Sequence, residues 1–260
     1  MTDHSWQFKT AITRKPGKSV VKGLRSRNIE DPKLQNLQKH HAEYIFALRK
    51  AGAEVIVLNP LENYPDSLFV EDTALCLPKG VVLMNPGALS RRGEVQHMAP
   101  KLQEIFSNVK RIEGPATIEA GDILVTSIEI LVGESKRTNE AGINQLTDLI
   151  YHWGYSVRKV SVPDEVLHFK RDCSALGTKT ILSTPRLFKT GVFQNYEVIL
   201  TAEGEEEAAN AVRFNDFVLM SKGFPKTFEK LKTAGYNLLE IENSEFAKLD
   251  GGMSCLSLRF

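Results

Sequence analysis

The sequence lacks an apolar run long enough to span a bilayer, and residues 1–18 lack the apolar core of a signal peptide. Neither sign of charge dominates, because 33 Lys and Arg side chains face 32 Asp and Glu side chains and leave a formal net charge of +1. Composition therefore gives no indication of a membrane protein, an exported protein or a nucleic-acid binder. We predict a cytoplasmic protein that contacts neither membrane nor nucleic acid.

Cysteine is also scarce. Cys76, Cys173 and Cys255 are an odd number, lie far apart and form no Cys-x-x-Cys pair, so neither a disulfide framework nor structural zinc is indicated. Zinc held by Cys255 and His168 is chemically conceivable, but no spacing supports a dedicated site. We predict neither a metal nor an organic cofactor.

The order strand, strand, helix, strand recurs about five times along the chain. In one copy, strands at 73–77 and 81–84 precede a helix that ends near 106 and a strand at 109–112. In another, 167–169 pairs with 180–182 and precedes a helix over 185–193. This order favours an α/β architecture of repeated units over a doubly wound sheet. No linker divides the chain, so residues 1–260 are expected to form one domain.

The C-terminal segment carries a cysteine among small residues. Gly251, Gly252 and Ser254 precede Cys255, and apolar residues then alternate with polar ones to the end of the chain. This pattern places Cys255 at the first residue of a short strand, where its sulfur is approachable. Taken alone, the segment also fits a buried structural cysteine.

Three carboxylates lie within seven residues of an otherwise apolar stretch: Asp66, Glu71 and Asp72. Their desolvation would be costly without a cationic partner, so they are candidates for binding a cation. A turn aspartate followed by a solvated Glu-Asp pair is the alternative.

Two arginines, Arg91 and Arg137, each follow a predicted hairpin and precede a helix. A guanidinium group suits a bidentate contact with a carboxylate, and two from separate units could hold one small anion. Each could equally be a solvated side chain. His168 and Glu119 lie in apolar surroundings. They could be satisfied core residues, but a cysteine, a histidine and a carboxylate together are what thiolate chemistry requires.

With these residues in place, the sequence resembles the dimethylarginine dimethylaminohydrolases, guanidine-modifying enzymes of the pentein superfamily. The resemblance spans nearly the whole chain and is carried by 19–24, Phe69-Val70-Glu71-Asp72, 86–92, Glu119-Ala120-Gly121-Asp122, 133–139, Leu167-His168 and the Asp-Gly-Gly-x-Ser-Cys ending. It implies a five-bladed pseudosymmetric α/β propeller of ββαβ units.

The resemblance also implies roles for the candidate residues. It makes Cys255 the nucleophile, His168 the general acid/base and Glu119 the carboxylate that orients the histidine. The implied substrate-binding residues are Asp66, Glu71 and Asp72 around the guanidinium, Arg91 and Arg137 at the α-carboxylate, and the carbonyls of Leu24 and Leu249 at the α-ammonium group.

The implied reaction converts dimethylarginine or monomethylarginine to citrulline and a methylamine through an S-alkylthiouronium intermediate on Cys255. The positive charges of the substrate and of protonated His168 are expected to lower the pKa of the thiol. A sister enzyme acting on arginine, agmatine or citrulline is the main alternative. A non-catalytic amino-acid-binding protein is another, and a structural propeller, in which Glu71, Asp72 and Glu119 would be exposed, is a third. A homodimer is plausible by analogy.

Overall fold

The computed structural model describes residues 3–26, 29–163 and 166–260. The strands are β1 (Thr10–Arg14), β2 (Glu54–Leu58), β3 (Ala74–Leu77), β4 (Gly80–Leu83), β5 (Val109–Arg111), β6 (Ile123–Val125), β7 (Ile130–Glu134), β8 (Val157–Ser161), β9 (Cys173–Ala175), β10 (Thr180–Ser183), β11 (Glu197–Leu200), β12 (Val212–Phe214), β13 (Phe217–Ser221), β14 (Asn237–Ile241) and β15 (Leu258–Arg259). The α-helices are α1 (Leu34–Lys50), α2 (Glu94–Ile105), α3 (Glu140–Tyr151), α4 (Pro185–Phe188), α5 (Pro225–Thr233) and α6 (Ser244–Ala247).

The strands form five three-stranded sheets, and each sheet is one ββαβ unit. In β3-β4-β5, for example, β4 pairs antiparallel with β3 and parallel with β5, and α2 lies in the parallel connection. The first blade consists of β15, β1 and β2. Its strand β15 comes from the other end of the sequence and pairs antiparallel with β1. The predicted five-bladed α/β propeller is confirmed.

Helices α1 to α5 each lie in the parallel connection of one blade and bury apolar residues. Helix α3 shows why these segments are helical: the Asn139 side chain accepts a hydrogen bond from the Gly142 N–H, which caps the first turn. Ile143, Leu146 and Ile150 then recur at spacings of three and four and are all buried. In the described residues, no helix is long and apolar enough to cross a membrane.

A short 3-10 turn precedes the first strand of every blade. These five turns are Val70–Thr73, Ala120–Asp122, Phe169–Arg171, Glu206–Ala209 and Ser254–Leu256. From Ser254–Leu256 through Val70–Thr73 to Glu206–Ala209, each turn contacts the next, so the turns lie around the centre of the propeller. Polar residues that are far apart in the chain therefore meet at equivalent positions of different blades.

Three local predictions were wrong. Residues 167–169 do not pair with β10; β9 does, because the Phe169 N–H donates to Asp122 Oδ1 and the chain continues as a 3-10 turn. The helix predicted over 185–193 ends at Phe188, and turns follow. Cys255 lies within a 3-10 turn before β15 and is not its first residue.

The core prediction concerns β7, the middle strand of its sheet. Leu131 is fully buried there, so Leu131→Ala should lower the free energy of unfolding by about 2–5 kcal/mol through lost burial and the cavity left behind. Urea unfolding followed by circular dichroism measures this loss. Leu89→Ala is the matched control, because Leu89 is 75% exposed. Equal losses in the two variants would contradict the described core.

Candidate active site

A cavity of about 300 Å³ opens at the centre of the propeller and is within the size range of small-ligand sites. Its wall contains all the predicted site residues except Glu71: Leu24, Asp66, Asp72, Arg91, Glu119, Arg137, His168, Leu249 and Cys255. Residues from several blades thus converge on one volume large enough for an amino acid.

Glu119 and His168 form a direct pair across two blades. His168 Nε2 lies 2.6 Å from Glu119 Oε2, and Glu119 is fully buried. Burial disfavours the charged carboxylate, but the hydrogen bond and charge of His168 and the charge of Arg91 outweigh it and lower the pKa of Glu119. The backbone N–H of Ala88 also donates to Glu119 Oε1, at 3.0 Å. Glu119 is therefore a fixed anion that holds the imidazole.

His168 is held in its protonated form. Burial favours the neutral imidazole. The negative charges of Asp72, Glu119 and Asp122, together with the hydrogen bond to Glu119, outweigh burial and raise the pKa of His168 to about 9. Asp122, which sequence analysis gave no role, accepts hydrogen bonds from Ser135, Thr138 and the Phe169 N–H. At neutral pH the imidazolium can therefore donate a proton within the cavity.

The surroundings of Cys255 favour a neutral thiol. Burial raises its pKa to about 11, and the negative charges of Glu71 and Asp72 add to the effect, while the Gly252 N–H and Lys170 oppose it. The groups of the protein alone therefore raise the pKa of the thiol and do not produce the expected lowering. A cation bound beside the sulfur would favour the thiolate.

Asp72 faces the cavity from the turn after Phe69. Its Oδ1 accepts the Gly121 N–H at 2.8 Å, and its Oδ2 accepts Arg91 Nη1 at 2.5 Å. Gly121 has a packing reason to lack a side chain, because a Cβ there would lie 2.9 Å from Asp72 Oδ1 and 3.0 Å from His168. The turn that carries Gly121 can therefore approach Asp72 and His168 only because this residue is a glycine.

The two predicted carboxylate-binding arginines differ in how they are held. Arg91 is buried and donates to Asp72, to the Phe69 carbonyl and, through Nε and Nη2, to Glu94. Arg137 is more exposed, and its Nη1 lies 3.5 Å from Glu119 Oε1. Glu94 was missed by sequence analysis, although it follows Arg91 by three residues, a spacing at which opposite charges often pair.

The remaining predicted residues lie at the cavity rim and behind it. Asp66 Oδ1 accepts the Leu24 N–H at 2.8 Å, and Leu249 lines the same cavity. Glu71 lies on the other side of the Cys255 turn, where Ser254, Lys170 and Arg259 contact its carboxylate. Its position gives no support to the predicted contact with a guanidinium group.

One group could hold a metal ion by geometry within the described ranges: Asp72, Glu119 and His168, whose ligand atoms lie within 4.8 Å of one another. A histidine ligand must be neutral, however, and the raised pKa of His168 disfavours that form. The electrostatics fit an organic cation with N–H donors better than a metal.

Comparison with known proteins identifies the family. The model of the family described as "N,N dimethylarginine dimethylhydrolase, eukaryotic" matches residues 21–182. The N(G),N(G)-dimethylarginine dimethylaminohydrolase of Pseudomonas aeruginosa is 38% identical over 254 residues, which cover 97% of this chain and all of the relative. The chain belongs to the dimethylarginine dimethylaminohydrolase family. The family member from Streptomyces coelicolor is 32% identical and covers 96% of both chains.

Solved structures agree with this assignment to the dimethylarginine dimethylaminohydrolase family. The P. aeruginosa enzyme, as a cysteine-to-serine mutant complexed with citrulline, matches with a TM-score of 0.95 and 37% identity, covering 98% of this chain and all of that one. The N-terminal domain of ArgZ, a cyanobacterial arginine dihydrolase, matches with a TM-score of 0.87 and 21% identity over 96% of both chains. The second match shows a shared fold.

The Glu119–His168 pair predicts a measurable titration. Glu119→Gln removes a negative charge, so the pKa of His168 should fall below about 9. Because the folded-state pKa exceeds the usual 6.5, protonated His168 stabilises the fold fully below about pH 6.5, and this contribution is lost as pH rises through 9. The loss should occur at lower pH in the variant.

NMR titration of the His168 ring, with thermal unfolding across pH 6–10, measures both effects. Glu134→Gln is the control, because Glu134 pairs with Lys159 at a largely exposed site. An unchanged His168 titration in Glu119→Gln would contradict the assigned electrostatics.

Proposed function

We propose that this protein hydrolyses N-ω-methylated arginines to citrulline and methylamines. The observation that carries the proposal is one cavity that joins a thiol, an imidazolium–carboxylate pair and a buried aspartate with an arginine at its wall. Dimethylarginine has a matching charge pattern, with a guanidinium group at one end and a carboxylate at the other. Two solved structures of relatives support it, one with citrulline and one an adduct with S-methyl-L-thiocitrulline.

The carboxylates provide the subsite for the guanidinium group. Asp72 supplies negative charge beside Cys255 and His168, and Asp66 adds negative charge at the rim, next to Leu24. Burial raises the pKa of Asp66, and a bound cation would reverse this effect. Arg137 and Arg91 would hold the α-carboxylate, and the carbonyls of Leu24 and Leu249 would accept the α-ammonium group. Glu71 has no direct substrate contact in this proposal.

Catalysis begins when the substrate brings its cation to Cys255. The bound guanidinium stabilises the thiolate, so Cys255 releases its proton to solvent, and the sulfur attacks the guanidinium carbon and forms the C–S bond. His168 gives its proton to the departing methylamine nitrogen as the C–N bond breaks, which leaves an S-alkylthiouronium on Cys255. Such proton transfer is typically worth about 10²–10⁴ in rate.

The neutral imidazole then acts as a base in the second half of the reaction. His168 takes a proton from water, whose oxygen adds to the thiouronium carbon. Collapse of the tetrahedral centre breaks the C–S bond, the hydroxyl proton passes to the departing sulfur, and citrulline is released. The thiol of Cys255 and the proton on His168 are thereby restored for the next turnover. Glu119 keeps the ring oriented and stabilises its positive form throughout.

The burial of Glu71, Asp72 and Glu119 does not meet the criterion for a structural propeller, which required exposed carboxylates. We further propose that residues 1–260 act as one catalytic domain, because β15, near the end of the chain, completes the blade of β1. A cytoplasmic location and a homodimer stay predictions, which cell fractionation and light scattering would test.

The substrate is tested by parallel incubation with dimethylarginine, monomethylarginine, arginine and citrulline. We expect citrulline and dimethylamine from dimethylarginine, and no product with Cys255→Ser, because serine is a far weaker nucleophile here. Cys76→Ser is the matched control and should stay active. Ammonia released from arginine or citrulline, with dimethylarginine untouched, would move the protein to a sister activity. Ligand binding without turnover of any compound would favour the binding-protein alternative.

Arg137 supplies a test of substrate orientation. Arg137→Met should raise KM for dimethylarginine at least about tenfold with a smaller change in kcat, because a charged contact to the α-carboxylate is lost. Steady-state kinetics measure both parameters. Arg92→Met is the control, because the Arg92 guanidinium donates to the Pro86 carbonyl. An unchanged KM in Arg137→Met would remove this residue from the binding site.

A further inference from the structure

Arg259 contacts both ends of the turn that carries the proposed nucleophile. Its Nη1 lies 2.9 Å from the Ser254 carbonyl oxygen, 2.8 Å from the Ser257 carbonyl oxygen and 3.0 Å from Ser257 Oγ. Cys255 lies between these contacts. One guanidinium group therefore fixes the backbone on either side of the thiol.

The turn needs this external support. Its own hydrogen bond, from the Leu256 N–H to the Met253 carbonyl, is long at 3.5 Å, which is a weak contact. Other contacts come from outside the turn as well, since Tyr44 donates to the Met253 carbonyl and Asn210 Oδ1 accepts the Ser254 N–H. The position of the thiol is thus imposed by neighbouring elements.

Glu71 compensates the charge of Arg259 and connects the turn to the opposite blade. Its Oε1 lies 2.8 Å from Arg259 Nη2 and 2.5 Å from Lys170 Nζ, and its Oε2 accepts Ser254 Oγ at 2.8 Å. Lys170 is two residues from His168. This carboxylate therefore links the turn of the nucleophile to the turn that follows the acid/base, which explains why it is buried without facing the cavity.

We propose that Arg259 is a positioning residue for Cys255, that it acts through the backbone of the 254–257 turn, and that Glu71 is its compensating anion. The inference rests on the proposed role of Cys255 as nucleophile. Arg259 lies behind the turn, among residues of the central channel such as Ser174 and Ser257, so it has no place in substrate binding. Its removal should affect the chemical step while substrate affinity is kept.

Charge and geometry can be separated by the choice of substitution. Lysine keeps the positive charge but lacks the planar fork that reaches two carbonyls and Glu71 together. Methionine removes both. The ionisable groups around the thiol are Glu71, Asp72, His168, Lys170, Arg171, Asp250 and Arg259. Loss of Arg259 leaves Glu71 less compensated, so the thiol should ionise at higher pH in Arg259→Met than in Arg259→Lys.

The experiment compares Arg259→Lys, Arg259→Met and wild type in three measurements. These are kcat and KM for dimethylarginine, affinity for citrulline, and the pH midpoint of iodoacetamide alkylation at Cys255 read by peptide mass spectrometry. For Arg259→Lys we expect kcat lower by about 10–100-fold, KM and citrulline affinity within about threefold, and a midpoint near that of wild type. For Arg259→Met we expect a larger loss of kcat and a raised midpoint.

Arg158→Met is the matched control, because Arg158 forms an ion pair with Glu129 at a half-exposed site away from the cavity. Wild-type kcat in Arg259→Lys, or a change confined to KM, would overturn the proposal. If Arg259→Met does not fold, the lysine variant decides. If wild type turns over none of the four compounds, the proposed function fails. An unchanged alkylation midpoint in Arg259→Met would still reject the proposed role of Arg259 on its own.

Discussion

The burial of carboxylates at the centre of the propeller is the constraint on which the site depends. Glu71, Asp72, Glu119 and Asp122 are each at most 3% exposed, and desolvating an unpaired carboxylate costs several kcal/mol. Each therefore has a specific partner. Glu71 pairs with Lys170 and Arg259, and Asp72 pairs with Arg91. Glu119 pairs with His168, and Asp122 accepts hydrogen bonds from the hydroxyls of Ser135 and Thr138. The pairs of Glu71 and Glu119 cross between blades, so compensation of their charge also sets the relative positions of the 3-10 turns.

The same charges explain why the protein alone favours the protonated forms of its two reactive groups, His168 and Cys255. Negative charge near His168 favours the imidazolium, and negative charge near Cys255 disfavours the thiolate. A guanidinium ligand changes this balance at the sulfur, because it places positive charge where the protein has mainly carboxylates. The reactivity of Cys255 is then linked to the binding of a cation beside the sulfur.

Sequence analysis could predict the fold because the ββαβ order is encoded locally. The spacing of apolar residues predicted the long helices, as in Ile143, Leu146 and Ile150. Short apolar segments bounded by turn residues predicted most strands. The 3-10 turns have no comparable signal, so His168 was assigned to a strand and Cys255 to a strand end. The residues of the cavity could be named from the family resemblance, whereas periodicity alone left each one with an alternative.

What sequence could not predict is the direction in which adjacent side chains point. Glu71 and Asp72 are neighbours in one 3-10 turn, yet Asp72 faces the cavity and Glu71 faces the channel behind Cys255. A single turn places consecutive side chains on different sides of the chain. Contacts from other blades decide which of the two side chains faces the cavity. Arg259 and Lys170 were missed for the same reason. Both contact Glu71, and these residues come together only when the propeller closes.

Closure of the propeller therefore connects folding with the site. Cys255 precedes β15, the strand that pairs with β1 and completes the first blade. The thiol is thus positioned by the element that joins the two ends of the described chain, while His168 and Glu119 belong to blades formed entirely within the sequence between them. Separation of β15 from β1 would move the nucleophile relative to the acid/base without unfolding any other blade. The buried contacts of Arg259 oppose that separation, because they bind the last strand, the nucleophile turn and the turn of the second blade in one charge-compensated group.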